Sequence, residues 1–538
     1  MTSNTILWIV LINLVLTWII FLIFKKNYLL IVIYAAIVGF IYYKFPSLIT
    51  LKYFLLPNLI LGFIFHLLIR GKKIINEDVF NIVISTERGK QTLENFKRGV
   101  SIFGSSGSGK TQSGIYNFFR HFAKFDYSGV FYDYKNGELT EMVLGLFKDV
   151  KIIAPHNPFI SDRINFIAPH TLHDETEINE ISKVLIMNLK GKNDKDNFFD
   201  ENAQALFSAL ILKFKLDYPN FCTFPHIVAF LTLNDFSGIH TQKIFVDGEE
   251  KEIQKHSSFK KLQDFLSSND RVKIQASAFL LGLDSDKQTA GVLSTLINSL
   301  RKIATPNFFW VFSSNDFDLN INHDSNRKIV SILNDPSKEE SVTPLVASTL
   351  HTITKQMMQR NLKQSFLLID EAPTIKLLNM ARIPATMRSY NIATIYCAQD
   401  VTQGYNQYGG VNQFKEILSN LSIQIFGKAN DPETAKFYEQ YTELIEVDAR
   451  SISKDQEGIF GTQKGVNLSK KEVRKIKQND FMKLKEGEFV VISNGESQQM
   501  RFSYPNIQTK EISKKSVTVE EIEYNYDTII REAKNILS

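Results

Sequence analysis

Cysteine is scarce: Cys222 and Cys397 are the only two in 538 residues. Two cannot build a disulfide framework or a four-cysteine metal site, and such sparing use suits a reducing compartment. Acidic side chains are missing altogether from residues 1–75, whose charged residues are Lys25, Lys26, Lys44, Lys52, Arg70, Lys72 and Lys73. The whole chain carries 62 Lys+Arg against 57 Asp+Glu, a formal net charge of +5. Setting those seven aside leaves 55 against 57 for residues 76–538, a net of −2. The basic balance therefore belongs to the N-terminal segment and is no evidence that the rest binds nucleic acid. With 44% hydrophobic and 22% charged residues the chain is not a disordered one. At about 100–200 residues per domain, its length implies several.

What the N-terminus does have is apolar length. Residues 6–24 form an uncharged run of 19, which at about 1.5 Å per residue crosses a hydrocarbon core of about 30 Å. Residues 1–5 carry no basic side chain and Lys25-Lys26 follows the run, the reverse of a cleaved signal peptide. Two further runs, 28–43 and 53–69, lie near the minimum span of about 17 residues. They read as two more spans, or as a re-entrant or interfacial pair. Arg70, Lys72 and Lys73 read as a cytoplasmic anchor, which puts everything after residue 75 in the cytoplasm.

The segment VSIFGSSGSGKTQSG at 100–114 holds a complete Walker A pattern, with a β-branched run before it and a helix-compatible stretch after it. Its loop is Gly104, Ser105, Ser106, Gly107, Ser108, Gly109, Lys110 and Thr111. Glycines let backbone N–H groups turn inward around phosphate oxygens, and the following helix N-terminus adds positive potential. Lys110 is expected to reach the β- and γ-phosphates of ATP, and Thr111 to offer its hydroxyl to Mg²⁺. Farther on, SFLLIDEAP at 365–373 reads as a buried central strand ending in Asp370 and Glu371. Asp370 is expected in the Mg²⁺ shell, and Glu371 is placed to polarise the attacking water.

Lys110 and Asp370 are 260 residues apart, more than a minimal P-loop core needs, so an inserted domain is expected. Within 175–300 two long segments repeat apolar residues at helical spacing, and 243–253 looks like a small Asp-Gly hairpin. Phe198, Phe199, Phe207 and Phe214 read as helix core rather than as a base-stacking platform. NFFWVFSS at 307–314 looks strand-like. Beyond Glu371, IATIYC at 392–397 reads as a strand that delivers Gln399 to its carboxyl end, where an amide can sense the γ-phosphate or its water. Asp431-Pro432 opens a later helix, and GEFVVISNG at 487–495 reads as the last strand. Strands near 101, 130, 151, 330, 367, 394, 424 and 490 make an α/β fold around a doubly wound, mostly parallel sheet. The last twenty residues read as one amphipathic helix.

In order along the chain, these blocks resemble the type IV coupling proteins, the TraG/TraD family of conjugation ATPases. FYDYKNGEL is similar to that family's block at Asp133, Lys135 and Glu138, with Asn136 where a glycine is usual. RINFI at 163–167, FFDENAQALFSALIL, FLLIDEAP, Arg388, AQDVTQGYNQYG and NDPETA follow in the family's order. The resemblance implies a RecA-like P-loop core with an inserted all-α domain and N-terminal transmembrane helices. Its domains would be an anchor (1–75), a nucleotide-binding domain in two stretches (76–174 and 301–505), a mostly helical insert between them (175–300) and a tail (506–538). It further implies a homo-hexameric ATPase in the bacterial inner membrane, coupling a relaxase–DNA complex to a type IV secretion channel and moving single-stranded DNA. Arg388 would then reach a neighbouring subunit's nucleotide, or else is a surface arginine. Asp133 and Lys135 line the nucleotide edge or fix the strand end. The lysine pairs Lys213/Lys215 and Lys260/Lys261 are candidates for DNA contact. The competing readings are an FtsK/HerA-type translocase of double-stranded DNA, a channel-assembly ATPase that handles protein, and a receptor that docks the relaxosome without translocating.

Overall fold

A strand buried on both faces needs a continuous apolar run, and several such runs set the frame of this chain. The computed structural model describes residues 77–190, 198–246, 249–284, 286–454 and 464–537, with the single positions 40, 43, 44 and 52. The described chain opens with a hairpin, β1 (Ile82–Thr86) and β2 (Gly89–Leu93). Then come β3 (Val100–Phe103), β4 (Ser128–Asp133) and β5 (Val150–Ile153). A second hairpin, β6 (Gly238–Val246) with β7 (Glu249–Ser257), lies inside a helical segment. The sheet resumes with β8 (Ile329–Leu333), β9 (Ser365–Ile369), β10 (Ile392–Ala398) and β11 (Ile423–Phe426). A third hairpin, β12 (Leu444–Lys454) with β13 (Lys464–Arg474), precedes β14 (Glu488–Ser493) and β15 (Glu496–Arg501).

Nine of these strands join in the order β15-β14-β11-β3-β10-β9-β4-β8-β5. Every residue of β3, β4, β8, β9, β10 and β11 is buried. The seven strands from β11 to β5 run parallel, and β14 and β15 add an antiparallel edge. Each of the eight strands expected from the sequence is present. The strand at 488–493 is not the last, because its Asn494-Gly495 turn, with both residues at positive φ, folds the chain back as β15. Parallel register carries the ends of β3, β10, β9 and β4 to one edge of the sheet, and functional loops belong at such an edge.

Between β5 and β8 the chain is mainly helical. Its long helices are Glu175–Leu189, Phe198–Asp217, Phe224–Leu233 and Asp286–Arg301. Phe207 and Phe214 are fully enclosed in the core; nothing is described for the side chains of Phe198 and Phe199. One apolar cluster runs from these helices into the sheet, joining Phe207 and Leu210 to Val130, Leu367 and Tyr396. The strand-like NFFWVFSS is instead the helix Pro306–Phe312. Thr305 caps its first turn and Pro306 takes the first helical position, a start signal that outweighs the β propensity of the aromatics. The hairpin is longer than the expected 243–253, and its Asp-Gly turn lies outside the described residues.

The expected C-terminal helix is Val519–Asn535, opened by a capping box between Thr518 and Glu521. Its apolar face, Ile522, Ile529 and Ala533, is buried against Phe224–Leu233 and Pro306–Phe312. The chain divides into two units, Met1–Asn76 and Glu77–Ser538. The three candidate membrane spans, apart from Phe40 and Tyr43, lie outside the described residues. Among the described residues no helix is long and apolar enough to cross a membrane.

Candidate functional site

The loop after β3 is shaped by its glycines. Gly107 and Gly109 have φ of 75° and 85°, the left-handed region where a Cβ is strained. At Gly109 a Cβ would also stand 2.8 Å from the Tyr504 hydroxyl and 2.9 Å from the Gly487 nitrogen. Hydrogen bonds fasten the loop to its neighbours: Gly104 N donates to Ala398 O (3.2 Å), Ser105 N to Lys428 O (2.9 Å) and Gly487 N to Ser108 O (3.0 Å). A wide π-type turn, Lys110–Ile115, then leads into the helix Tyr116–Lys124. The hydroxyls of Ser105 and Ser108 are buried with no partner. A backbone held by bonds at its rim, with free donors inside it, is suited to anionic oxygens.

Lys110 crosses the cleft. It is 6% exposed, and its Nζ donates to Glu371 Oε1 over 2.8 Å. Burial alone would lower its pKa, but the carboxylates of Glu371 and Asp370 outweigh it and raise the value, so the ammonium stays charged. Gln399 Nε2 donates to the same oxygen, Glu371 Oε1, at 3.1 Å. Glu371 itself has φ 47° and ψ 49°. A left-handed glutamate at the end of a parallel strand is strained by roughly 1–3 kcal/mol, a cost that clusters at functional sites. That turn of the backbone brings its side chain to the cleft wall.

Asp370 sits one residue earlier, 2% exposed, with Oδ1 buried and unpartnered. Desolvation raises its pKa to about 7; the charges of Glu371 and Asp133 add to this, and Lys110 opposes it. An unpaired buried carboxylate is costly, and one directly preceding a cleft-lining residue, Glu371, suits a cation.

The two roles left open for Asp133 and Lys135 separate cleanly. Asp133 is fully buried; its Oδ2 accepts from Thr140 N (2.9 Å) and Thr140 Oγ1 (2.7 Å), and its Oδ1 from Lys135 N (3.2 Å). It pins the loop after β4. Lys135 lines the cleft and pairs with Glu138 at 3.2 Å. Asn136, where the sequence departs from the usual glycine, has φ 51°, a conformation that asparagine tolerates. Its Oδ1 also meets His156 Nε2 at 2.9 Å.

The cleft wall thus consists of residues 105–112 together with Lys135, Glu138, Glu371, Gln399 and Glu486. Gly104, Asp370, Arg388 and Tyr504 are not among them: Asp370 is buried, and the Arg388 side chain is exposed at the end of the helix Ile383–Arg388. Sequence reasoning missed Glu486 and Tyr504, because no local pattern marks them; the sheet brings them to the loop. The lysine candidates fare unevenly. Lys213 is buried on Asp217 and Ser268, and Lys215 is tied to the Leu172 carbonyl, so neither faces solvent freely. Lys260 pairs with Asp264, while Lys261 is exposed.

A protein-family model described as type IV secretory system conjugative DNA transfer matches residues 64–500. No curated protein sequence matches the chain significantly. Among solved structures, the bacterial conjugative coupling protein TrwBΔN70 in an unbound form superposes with a TM-score of 0.62 at 14% identity, over 83% of this chain and 93% of that one. The plasmid coupling protein TrwB in complex with ADP and Mg²⁺ gives 0.61 at 14% identity, over 83% and 94%. TrwB with a non-hydrolysable ATP analogue gives 0.59 at 13% identity, over 84% and 95%. At such identities the likeness is one of fold.

Proposed function

The chain belongs to the type IV secretory system conjugative DNA transfer family, and on that premise we propose that it is a membrane-anchored P-loop ATPase coupling a relaxase–DNA substrate to a type IV secretion channel and driving transfer of single-stranded DNA. The observation that carries the reading is the convergence of Lys110 and Gln399 on one oxygen of Glu371, beside the unpartnered Oδ1 of Asp370. Three separate stretches of sequence meet there as phosphate-binding cation, amide sensor and general base.

The substrate is ATP. The 104–111 loop would wrap its phosphates with backbone N–H groups, and the Ser105 and Ser108 hydroxyls would take up phosphate oxygens. Lys110 would exchange Glu371 for a γ-phosphate oxygen, a swap of one anionic partner for another that keeps its charge compensated. Glu371, released from the lysine but still held by Gln399, would then accept the proton of the attacking water. Among the described residues no group of three or more His, Cys, Asp or Glu side chains could hold a metal, so Mg²⁺ would share its shell between Thr111, Asp370, water and phosphate oxygens. When bound, it neutralises charge on the β- and γ-oxygens.

Residues 1–75, with seven basic and no acidic side chains, supply an anchor suited to an anionic inner leaflet. Residues 76–174 and 301–505 form the nucleotide-binding core, 175–300 its helical insert and 506–538 the tail. In a homo-hexamer, Arg388, exposed and away from its own chain's cleft, is available to a neighbour's nucleotide. The body's net charge of −2 requires any DNA-gripping lysines to be local. ATP hydrolysis by the full-length chain, measured without DNA and with single- and double-stranded DNA, tests the reading. Stimulation by single strands supports it; stimulation by duplex alone would favour the FtsK/HerA-type translocase.

A further inference from the structure

The sheet order gives the nucleotide a direction. The phosphate loop follows β3; β10 and β9, with Gln399, Asp370 and Glu371, lie to one side of it, and β11 and β14 lie to the other. A triphosphate whose γ end points to Glu371 has its nucleoside on the β14 side. Because β14 runs antiparallel to β11, its start falls at the same edge as the loop, and so does the end of β15. Glu486, just before β14, lines the cleft there. Tyr504, just after β15, donates its hydroxyl to Glu486 Oε1 at 2.8 Å, yet remains 43% exposed.

Two glycines make room for that ring. A Cβ on Gly109 would stand 2.8 Å from the Tyr504 hydroxyl, and one on Gly487 3.2 Å from its Cε2. The tyrosine therefore rests against the phosphate loop itself. Burial and the Glu486 carboxylate push its pKa up to about 12, so the phenol keeps its proton and goes on donating. A partly exposed aromatic ring fixed through its hydroxyl beside a phosphate loop, with a carboxylate at its rim, has the chemistry to receive a base and a ribose.

We propose that Tyr504 and Glu486 form the nucleoside subsite of this cleft, the base stacking on the Tyr504 ring and a ribose hydroxyl donating to Glu486, for a ribonucleoside triphosphate. This rests on the reading of the cleft as a nucleoside triphosphate site. Tyr504 acts both directly and by holding Glu486 in place.

The test is calorimetric titration of the full-length protein in detergent, with Mg²⁺, using a non-hydrolysable ATP analogue, its 2′-deoxy form and inorganic triphosphate. Tyr504→Ala should weaken the ATP analogue about tenfold or more, in the range of base–aromatic stacking, and leave inorganic triphosphate within about twofold. Tyr504→Phe should retain most of the affinity. Glu486→Gln should reduce the preference for the ribose over the deoxyribose form. Equal weakening of analogue and inorganic triphosphate by Tyr504→Ala would mean that the ring only props the loop, and would overturn the inference, as would no change in either. Should Tyr504→Ala fail to fold, the Glu486→Gln preference decides: an unchanged ratio overturns it. Lys110→Ala separates the underlying reading, since it must weaken both ligands; if it weakens neither, the cleft is not a triphosphate site at all.

Discussion

Two regions of this molecule join residues hundreds of positions apart, and they do so in opposite ways. In the cleft, the loop after β3 meets the end of β9 with Asp370 Oδ1, Ser105 Oγ and Ser108 Oγ buried and unpartnered, and with Glu371 in a strained left-handed turn. Where the C-terminal helix meets the helical segment, the ionisable groups, half-buried Arg163 and buried His226, are saturated, although Asn525 Nδ2 and Thr528 Oγ1 are buried there without a partner. Arg163 lies over the Trp310 ring at 4.1 Å and donates to Trp310 O (3.1 Å), Ser313 Oγ (2.8 Å) and Asn525 Oδ1 (3.3 Å). His226 bonds Thr223 through Nδ1 and Glu532 Oε2 through Nε2, the latter at 3.0 Å. Asn234 Nδ2 adds a bond to the Ala533 carbonyl at 3.1 Å. In the stabilising contact the chain itself partners the charged groups; in the cleft a buried carboxylate oxygen is left without a partner, as a site that waits for a cation requires.

The contrast can be broken most sharply at Glu371. Glu371→Gln keeps the shape and should lower the rate of ATP hydrolysis about 100-fold or more, the usual worth of a general base. Nucleotide binding should survive, as read by phosphate release beside equilibrium titration. An unchanged rate would remove Glu371 from the chemistry.

Asp370 offers the next largest effect. Burial pushes its carboxyl well above the usual carboxylate range, to about 7, and only the ionised form suits a cation. Mg²⁺-dependent nucleotide binding should therefore strengthen as pH rises from 6 to 8, by up to about tenfold per pH unit below the pKa. Asp370→Asn should flatten the share of that dependence not due to the phosphates. The same slope in both proteins would assign it to the phosphates alone.

On the saturated side, Arg163→Ala should cost about 2–3 kcal/mol of stability in thermal or denaturant unfolding, from lost charged hydrogen bonds and the stacked ring. Per-site ATP hydrolysis of the folded fraction should hardly change. A large loss of turnover with unchanged stability would move this contact into the functional class.

The smallest effect is that of His226. Burial lowers its pKa, and the Glu532 carboxylate, raising it, only partly compensates. A histidine held neutral in the fold binds its proton more readily when unfolded, so stability should fall as pH drops below about 6.5, the unfolded value. His121 and His156 are lowered too, also chiefly by burial. His226→Gln should thus remove only a share of the acid-side drop in melting temperature; an unaltered drop would show that His226 is not among its causes.

The core of the fold was legible because its signals are local. Buried parallel strands need unbroken apolar runs, so the strands at 100–103 and 365–369 announce themselves, as does the Gly-rich loop between strand and helix. β12 and β13 were not legible. Their strands carry Glu446, Asp448, Lys470 and Lys471 among apolar residues, and they pair with each other rather than with the main sheet. The helix at 306–312 was missed because aromatic side chains mask a capping signal made by Thr305. Arg388 could be named from motif order, but its distance from its own cleft is a property of the folded chain.

By itself, the sequence singled out the residues to which we assign phosphate chemistry. Glycine at positive φ, a lysine and threonine at fixed offset, and two acids after an apolar run are each demanded by backbone sterics or charge within a few residues. Only the tertiary structure decided what faces them. Glu371 lies 261 residues from Lys110 yet 2.8 Å from its ammonium, and Tyr504 reaches the loop from beyond the last strand. Proximity of that kind is created by parallel register and sheet order, which depend on how the whole apolar core closes rather than on any single segment.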